Sequence, residues 1–166
     1  MIIIVEGIDR VGKTTLCNKL STELNIPIYK HPTSIMDYDH MDNVNETDKM
    51  LHMVDIMKLS NSNIIFDRFH LSEYAYGVVE RNYNTISALH NFKLVDNELR
   101  KCNAILIIVK PTDIKMSSEE DGRDMSIYWE HMLDALSASR LKHYLCDYNS
   151  IDKMVNIIKE VSNEII

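Results

Sequence analysis

The most unusual feature of the sequence is how little glycine it contains. Average usage of about 7% would give roughly twelve glycines in a chain of this length. The chain has 166 residues and four glycines, Gly7, Gly12, Gly77 and Gly122. We therefore expect each glycine to occupy a position where the backbone or a close neighbour requires one.

Cysteine is also scarce. The three cysteines, Cys17, Cys102 and Cys146, are odd in number, far apart and in no CxxC pair. This pattern argues against a disulfide framework and against a cysteine-based zinc site. It indicates reduced thiols and predicts a cytoplasmic or nuclear location.

Long hydrophobic runs are absent. The two longest, residues 1–5 and 104–109, are far shorter than the roughly 18 residues that a membrane-spanning helix needs. Glu6 and Asp9 interrupt what would be the apolar core of a signal peptide. The sequence therefore predicts a soluble protein with no membrane partner.

Positive charge is in deficit. The chain has 18 lysines and arginines against 25 aspartates and glutamates, which gives a formal net charge of −7. This balance argues against a broad surface for a nucleic-acid polymer or an anionic membrane, but it allows a small anionic ligand held by a few local cations. The apolar fraction of 45% is that of an ordinary soluble protein. The length suits one domain spanning residues 1–166.

Predicted strands and helices alternate along the chain. Residues 2–5 and 104–109 are aliphatic without polar alternation, which is typical of parallel strands covered on both faces. The alternation therefore predicts an α/β fold with a parallel sheet between helical layers. The predicted strands are 2–5, 27–30, 63–67, 104–109 and 143–146, and the predicted helices are 14–24, 50–59, 71–80, 87–100, 125–140 and 151–166.

Two polar, acidic segments show no clear periodicity. Residues 36–49 and 115–124 are interpreted as surface segments. Each is either a solvated connection or a functional loop.

A phosphate-binding pattern lies between the first predicted strand and the first predicted helix. Residues 7–14 read GIDRVGKT and satisfy GxxxxGK[ST], in which backbone N–H groups and the helix N-terminus bind a polyphosphate. Lys13 is expected to reach the β- and γ-phosphates, and the Thr14 hydroxyl to ligate Mg²⁺. ATP with Mg²⁺ is therefore the predicted ligand. The residues expected to bind it are Gly7, Ile8, Asp9, Arg10, Val11, Gly12, Lys13, Thr14 and Thr15.

A second motif follows the third predicted strand, at the sheet edge where parallel sheets bind ligands. Residues 67–77 read DRFHLSEYAYG and resemble the DRYxxSxxAY motif of the thymidylate kinases, with Phe69 in the tyrosine position. Residues 6–15, EGIDRVGKTT, resemble the phosphate loop of the same family, and weaker similarities occur at 30–33 and 120–123. The chain thus resembles a short form of the thymidylate kinase family. The resemblance implies a three-layer P-loop fold with a five-stranded parallel sheet of order 2-3-1-4-5.

Residue chemistry and the resemblance together suggest an acceptor site. The guanidinium of Arg68 can bind a phosphate with two parallel hydrogen bonds, or it can form a salt bridge with an acidic neighbour. Asp67 can hold Mg²⁺ through water, or it can cap a helix. Aromatic residues at helical spacing can stack on a base or belong to the core. The residues expected to bind the acceptor are Asp9, Lys30, Arg68, Phe69, Ser72 and Tyr76.

The resemblance also implies the catalytic residues. Asp9 matches an aspartate on the 3′-hydroxyl side of the acceptor sugar, and Arg10 matches an arginine that reaches the transferred phosphoryl group. Arg123 falls where the family has an arginine in its lid, here residues 115–124. Lys13, Arg10 and Arg123 are therefore the candidate catalytic residues.

The predicted activity is transfer of a phosphoryl group from ATP to a nucleoside 5′-monophosphate. The resemblance favours dTMP or a related deoxypyrimidine monophosphate, and it suggests a homodimer. Two departures weaken dTMP: the helix before residues 67–68 has no arginine, and Gly77 replaces a glutamine. A deoxynucleoside kinase and a non-catalytic nucleotide-binding module are the alternatives.

Overall fold

The structure is a computed structural model that describes residues 1–31, 43–115 and 122–165. Most of the two polar segments, including the central part of the predicted lid, lies outside the described residues. Strands β1 to β5 are Ile2–Glu6, Ile28–Lys30, Ile64–Asp67, Ile105–Val109 and Lys142–Cys146. Helices α1 to α6 are Lys13–Leu24, Asn43–Ser60, His70–Glu80, Thr85–Lys101, Met125–Ala138 and Ile151–Ile165.

All five strands are parallel and form one sheet of order β2-β3-β1-β4-β5, which confirms the predicted fold class. The two runs without polar residues form the central strands: β1 pairs with β3 on one side and with β4 on the other. Alternate residues of β1 face opposite sides because side chains in a strand alternate. Ile3 joins the core beneath α1 and α6, and Ile4 joins the core beneath α2 and α4.

Helix α2 begins earlier than its apolar pattern indicates. The sequence predicts a helix from residue 50 and an irregular segment before it, but residues 43–49 are helical, so the prediction is wrong there. The reason is that Glu46 and Thr47 are buried on this helix, at 2% and 4% exposure. Polar residues at buried positions hide the periodicity by which a helix is predicted.

The topology brings the two predicted motifs together. Residues 7–12 connect β1 to α1, and residues 68–69 connect β3 to α3. Because β1 and β3 are parallel neighbours, both connections lie at the same edge of the sheet. In the described part of the chain, no helix combines the length and the apolar character that a bilayer crossing requires.

Asp96 of α4 is a buried carboxylate that joins three parts of the fold. It accepts hydrogen bonds from His70 Nε2 at 3.2 Å, from the Ser139 hydroxyl at 2.6 Å and from the Arg140 amide at 2.9 Å. Burial acts to raise the pKa of Asp96, but these hydrogen bonds outweigh it and hold the pKa below its ordinary value. The ionised carboxylate therefore stabilises the folded state.

We expect Asp96→Asn to lower the free energy of unfolding by about 2–4 kcal/mol, because an amide cannot accept all of these hydrogen bonds. The pKa of Asp96 is lower in the folded state than in the unfolded chain. Its contribution to the free energy of unfolding is therefore complete above the ordinary carboxyl pKa and is lost as the pH falls through the lowered value. Urea unfolding at neutral and acidic pH measures this difference, which should shrink in acid. The exposed Asp152→Asn is the control; an equal loss in both variants would contradict the role of Asp96.

Candidate active site

The phosphate loop adopts a backbone conformation that only glycine accommodates at two positions. Gly7 has a φ of 149° and Gly12 a φ of 97°, both in the region that L-residues avoid. A Cβ on Gly7 would lie 2.5 Å from the carbonyl oxygen of Val109, and a Cβ on Gly12 would lie 2.7 Å from the ring of Tyr148. The loop is therefore held tightly between β4 and the turn after β5.

Lys13 opens α1 and its side chain is buried within the loop. The ammonium group donates a hydrogen bond to the carbonyl oxygen of Ile8. Burial lowers the pKa of Lys13 to about 7, helped by the nearby charge of Arg68 and opposed by Asp9 and other carboxylates. A bound polyanion would compensate this buried cation, so the geometry suits the predicted phosphate-binding role.

Thr14 and Asp67 lie together at the same edge of the sheet. The Thr14 hydroxyl donates a hydrogen bond of 2.8 Å to Asp67 Oδ2. Asp67 ends β3 and is 2% exposed. Hydroxyl and carboxylate oxygens are the ligands that Mg²⁺ prefers, so these two residues fit the predicted metal site.

Arg68 is buried and strained at the turn between β3 and α3. Its φ of 72° is unusual for a residue other than glycine and costs about 1–3 kcal/mol. The guanidinium forms an ion pair with Asp9, not with Asp67, and lies 5.0 Å from the centre of the Tyr76 ring. The Tyr76 hydroxyl donates to Asp9 Oδ2 at 2.9 Å. These contacts fix the Arg68 side chain at the edge of the sheet.

Arg123, two residues before α5, contacts the same carboxylate. It donates to Asp9 Oδ2 at 2.7 Å and pairs with Glu80, which also accepts from the Tyr128 hydroxyl at 3.1 Å. Burial acts to raise the pKa of Asp9, but the charges of Arg68 and Lys13, with help from Tyr76 and Arg123, lower it. Asp9 is therefore an ionised carboxylate surrounded by cations.

A cavity of ≈ 410 Å³ opens between these groups. Most of its lining residues are predicted site residues, and both motifs contribute to the lining. Tyr148 is the lining residue that was not predicted, because nothing in the sequence distinguishes it from other surface aromatics. The lining residues are Asp9, Arg10, Gly12, Lys13, Thr14, Thr15, Lys30, Asp67, Arg68 and Tyr148.

Two predicted acceptor residues point into the core instead. Phe69 is fully buried and its ring centre lies 4.4 Å from that of Phe66. Ser72 is also fully buried, and its hydroxyl donates to Glu6. Helix α3 begins at His70, immediately after the Arg68 turn, so its first turn packs beneath the sheet edge. Neither side chain lines the cavity in this structure, and their contact with the acceptor stays a prediction.

Glu6 has a positioning role that no pattern in the sequence indicates. This fully buried carboxylate, at the end of β1, accepts hydrogen bonds from the backbone amides of Phe69 at 2.8 Å, Leu71 at 3.0 Å and Ser72 at 3.3 Å. A carboxylate at this place stabilises the positive N-terminus of α3. Glu6 therefore fixes the turn that carries Arg68.

We expect Glu6→Gln to lower the free energy of unfolding by about 2–3 kcal/mol. The substitution removes the buried negative charge that the three N–H groups face, and it replaces Oε2, which accepts from the Ser72 hydroxyl, with a donor. The looser turn should also reduce acceptor turnover roughly tenfold. Urea unfolding and steady-state kinetics measure both effects. Glu160→Gln, exposed on α6, is the matched control, and unchanged stability of the Glu6 variant would contradict the capping role.

Comparison with known proteins gives structural likeness alone: no model of a known protein family and no curated protein sequence matches the chain. The YorR protein of Bacillus subtilis, solved in complex with phosphorylated GDP, has a TM-score of 0.76 at 23% identity, covering 98% of this chain and 96% of that one. Thymidylate kinase from Ehrlichia chaffeensis has a TM-score of 0.62 at 19% identity, covering 98% of each chain. Deoxyadenosine kinase from M. mycoides, with bound dCTP, has a TM-score of 0.51 at 18% identity, covering 99% of this chain and 100% of that one.

These solved structures cover nearly the whole chain, but their sequence identities are too low to assign a function to it. What they share with it is a five-stranded parallel sheet with flanking helices. The chain therefore has the fold of the P-loop nucleotide and nucleoside kinases, with the sheet order β2-β3-β1-β4-β5.

Proposed function

We propose that the chain is an ATP-dependent kinase that converts a nucleoside 5′-monophosphate into the diphosphate. The observation that carries this proposal is that two buried cations, Lys13 and Arg68, line one cavity from different elements. A site with two phosphate-binding cations that come from different elements suits a reaction between two phosphate-bearing substrates.

In this reaction an oxygen of the acceptor phosphate attacks the γ-phosphorus of ATP. A new P–O bond forms, the bond between the γ-phosphorus and the bridging oxygen breaks, and ADP leaves. No general base is needed because the acceptor phosphate is already anionic. Lys13, Arg10 and Arg123 stabilise the charge on the transferred group, while Arg68 orients the acceptor.

Thr14 and Asp67 would hold Mg²⁺ at the end of β3, since their oxygens lie together there. The metal would supply further neutralisation of phosphate charge. Asp9 keeps Arg68 and Arg123 in place through its two ion pairs, and we assign it to the sugar side of the acceptor.

The identity of the acceptor base is the finer part of the proposal. The sequence resemblance and the likeness to a thymidylate kinase favour dTMP or a related deoxypyrimidine monophosphate, whereas the YorR complex with phosphorylated GDP supports a guanine nucleotide. Gly77 stands where the thymidylate kinase motif has glutamine, and a Cβ there would lie 2.3 Å from the Tyr83 ring. Tyr83 thus fills the space of the missing side chain. A cytoplasmic location and a homodimer stay predictions of the sequence.

A deoxynucleoside kinase is the second candidate, supported by the likeness to deoxyadenosine kinase. Its neutral hydroxyl acceptor needs a carboxylate base near the phosphate loop. Asp9 has that position, but the lowered pKa caused by Arg68 and Lys13 makes it a weak base. This observation favours the monophosphate as acceptor.

The test is ADP release from ATP and Mg²⁺ with a panel of nucleosides and nucleoside 5′-monophosphates. We expect turnover with at least one monophosphate and little with the matching nucleoside. Faster turnover of the nucleoside would support the second candidate. Binding of ATP without stimulated turnover by any acceptor would indicate a non-catalytic nucleotide-binding module.

A further inference from the structure

A second group of buried polar side chains lies beside the cavity. His31 directly follows β2, Glu46 belongs to α2 and Glu73 belongs to α3. One ligand atom from each lies within 4.8 Å of the others, and the three residues are 5%, 2% and 4% exposed. With Arg81, which pairs with Glu73 Oε2 at 2.7 Å, they form what we call the polar cluster.

The hydrogen bonding of the polar cluster is incomplete. Neither ring nitrogen of His31 has a hydrogen-bond partner among the described residues, and the nearest carboxylate oxygen, Glu73 Oε2, is 3.8 Å from His31 Nε2. Glu73 Oε1 also lacks a hydrogen bond of ordinary geometry there, although the Tyr83 hydroxyl lies near the Glu73 carboxylate. A buried polar atom left unpaired costs about 1–3 kcal/mol. Several such atoms in one place indicate a ligand-binding site.

The charges favour a neutral ligand over a metal ion. Glu73 is paired with Arg81, and Glu46 accepts a hydrogen bond of 2.8 Å from the ammonium group of Lys49. Each carboxylate thus already has a cation beside it. A divalent ion would have to compete with both cations, whereas a neutral molecule with hydrogen-bond donors and acceptors would not.

The polar cluster is also next to the proposed acceptor phosphate site. Lys30 lines the cavity and precedes His31 in the chain. Phe69 follows Arg68 and its ring centre lies 5.8 Å from that of His31. His31 and Phe69 thus each directly follow a residue that lines the cavity. We therefore place the base of a nucleotide whose phosphate binds Arg68 on this side of the cavity.

We propose that the polar cluster recognises the base of the acceptor monophosphate and that this base is guanine; the inference rests on the proposed function. Guanine carries two neighbouring donors, N1–H and N2–H₂, and a carboxylate accepts hydrogen bonds from both. Its O6 is an acceptor for Arg81 or for a ring N–H of His31. Every edge group then meets a group of opposite character.

The other bases match the polar cluster less well. Thymine has one donor, N3–H, between two carbonyl oxygens that would face the carboxylates without a hydrogen bond. Cytosine and adenine each place a ring nitrogen acceptor beside the amino group. Leaving these acceptors against buried carboxylates is costly, and such mismatches can discriminate strongly between substrates.

The first experiment measures equilibrium binding and ADP release with dGMP, dTMP, dCMP and dAMP, using the full chain. We expect dGMP to bind at least about tenfold more tightly than the other three and to have the highest kcat/KM. Preferential binding of dTMP, or equal binding of all four, would overturn the guanine assignment. Release of ADP without guanine preference would contradict that assignment alone, whereas selective dGMP binding without ADP release would contradict the proposed function alone.

The second experiment tests the side chain that distinguishes the bases. A glutamine offers one donor and one acceptor, which match the N1 and amino group of adenine. We therefore expect Glu73→Gln to lower the ratio of kcat/KM for dGMP to that for dAMP about 100-fold, with unchanged affinity for ATP. Glu160→Gln is the matched control, and thermal unfolding with ATP binding shows whether the variant is folded.

Should Glu73→Gln not fold, Glu46→Gln is the substitute, with the same expected direction of change in the dGMP to dAMP ratio. An unchanged ratio in a folded variant would overturn the proposal. Titration with Zn²⁺ alone provides a further check. Tight Zn²⁺ binding to the native chain that is lost in the Glu73 variant would assign the polar cluster to a metal and overturn the base site.

Discussion

Replacing Lys13 with methionine is expected to lower kcat/KM about 1,000-fold without reducing the stability of the protein. The loss of activity follows from the position of Lys13 in the phosphate loop, where it lines the cavity. A preorganised cation at a transferred phosphoryl group contributes about 10²–10³ to the rate. Steady-state ADP release over a range of ATP and acceptor concentrations measures the loss.

The stability of this variant tests the electrostatics of the loop. Burial lowers the pKa of Lys13 to about 7, whereas in the unfolded chain it is near 10.4. Between these values the unfolded state binds more protons, so the stability of the native chain rises with pH. Methionine removes the buried charge. The gain in free energy of unfolding of the Lys13→Met variant over the native chain should therefore be greatest at or below pH 7 and disappear towards pH 10. Urea unfolding across this range measures it.

Lys19→Met is the control, because Lys19 lies on the same helix with its side chain 45% exposed and in a surface ion pair with Asp152. Such pairs contribute less than about 1 kcal/mol, and Lys19 does not line the cavity. Native turnover in the Lys13 variant would contradict the assignment of the phosphate loop. A loss of stability as large as that caused by truncating a buried apolar side chain would contradict the expectation that burial of the Lys13 charge is unfavourable.

The α/β fold class and the phosphate loop could be predicted because they depend on local patterns, whereas the sheet order was implied by the family resemblance. Uninterrupted aliphatic runs predict the buried strands β1 and β4, and the spacing of Gly7, Gly12 and Lys13 predicts the phosphate loop. The structure adds close contacts that no local pattern contains. Tyr148 fills the space beside Gly12, although it is far from Gly12 in the chain. Tyr83 fills the space beside Gly77 and lies after the end of the motif that contains this glycine.

The remaining features depend on contacts between distant segments. Glu6 belongs to the phosphate-loop motif in sequence, yet its carboxylate binds the backbone of α3. His31, Glu46 and Glu73 meet only because β2, α2 and α3 converge beside the cavity. Charged residues in a sequence are usually assigned to the surface, so neither the burial of these three nor the start of α2 within a polar segment could be predicted from pattern alone.

Arg68 provides the sharpest distinction between the two candidate kinase activities. We expect Arg68→Lys to raise the KM for the monophosphate acceptor about 100-fold, while the KM for ATP changes little. Lysine retains one positive charge but cannot form the two parallel hydrogen bonds that a guanidinium makes with phosphate. The backbone strain at φ 72° is the same for both residues. Initial rates with each substrate varied in turn measure the two constants.

The outcome depends on the charge of the acceptor. For a phosphate acceptor, the Arg68→Lys variant loses contacts to a dianion in a buried site, and the loss should appear in the acceptor KM. A neutral nucleoside makes no such contact, so a nucleoside kinase would lose little activity. Arg100→Lys, exposed on α4, is the matched control. An unchanged acceptor KM in the folded Arg68 variant would contradict the assignment of Arg68 to the acceptor phosphate, and equal losses with ATP and acceptor would indicate that Arg68 acts through Asp9 and the phosphate loop instead.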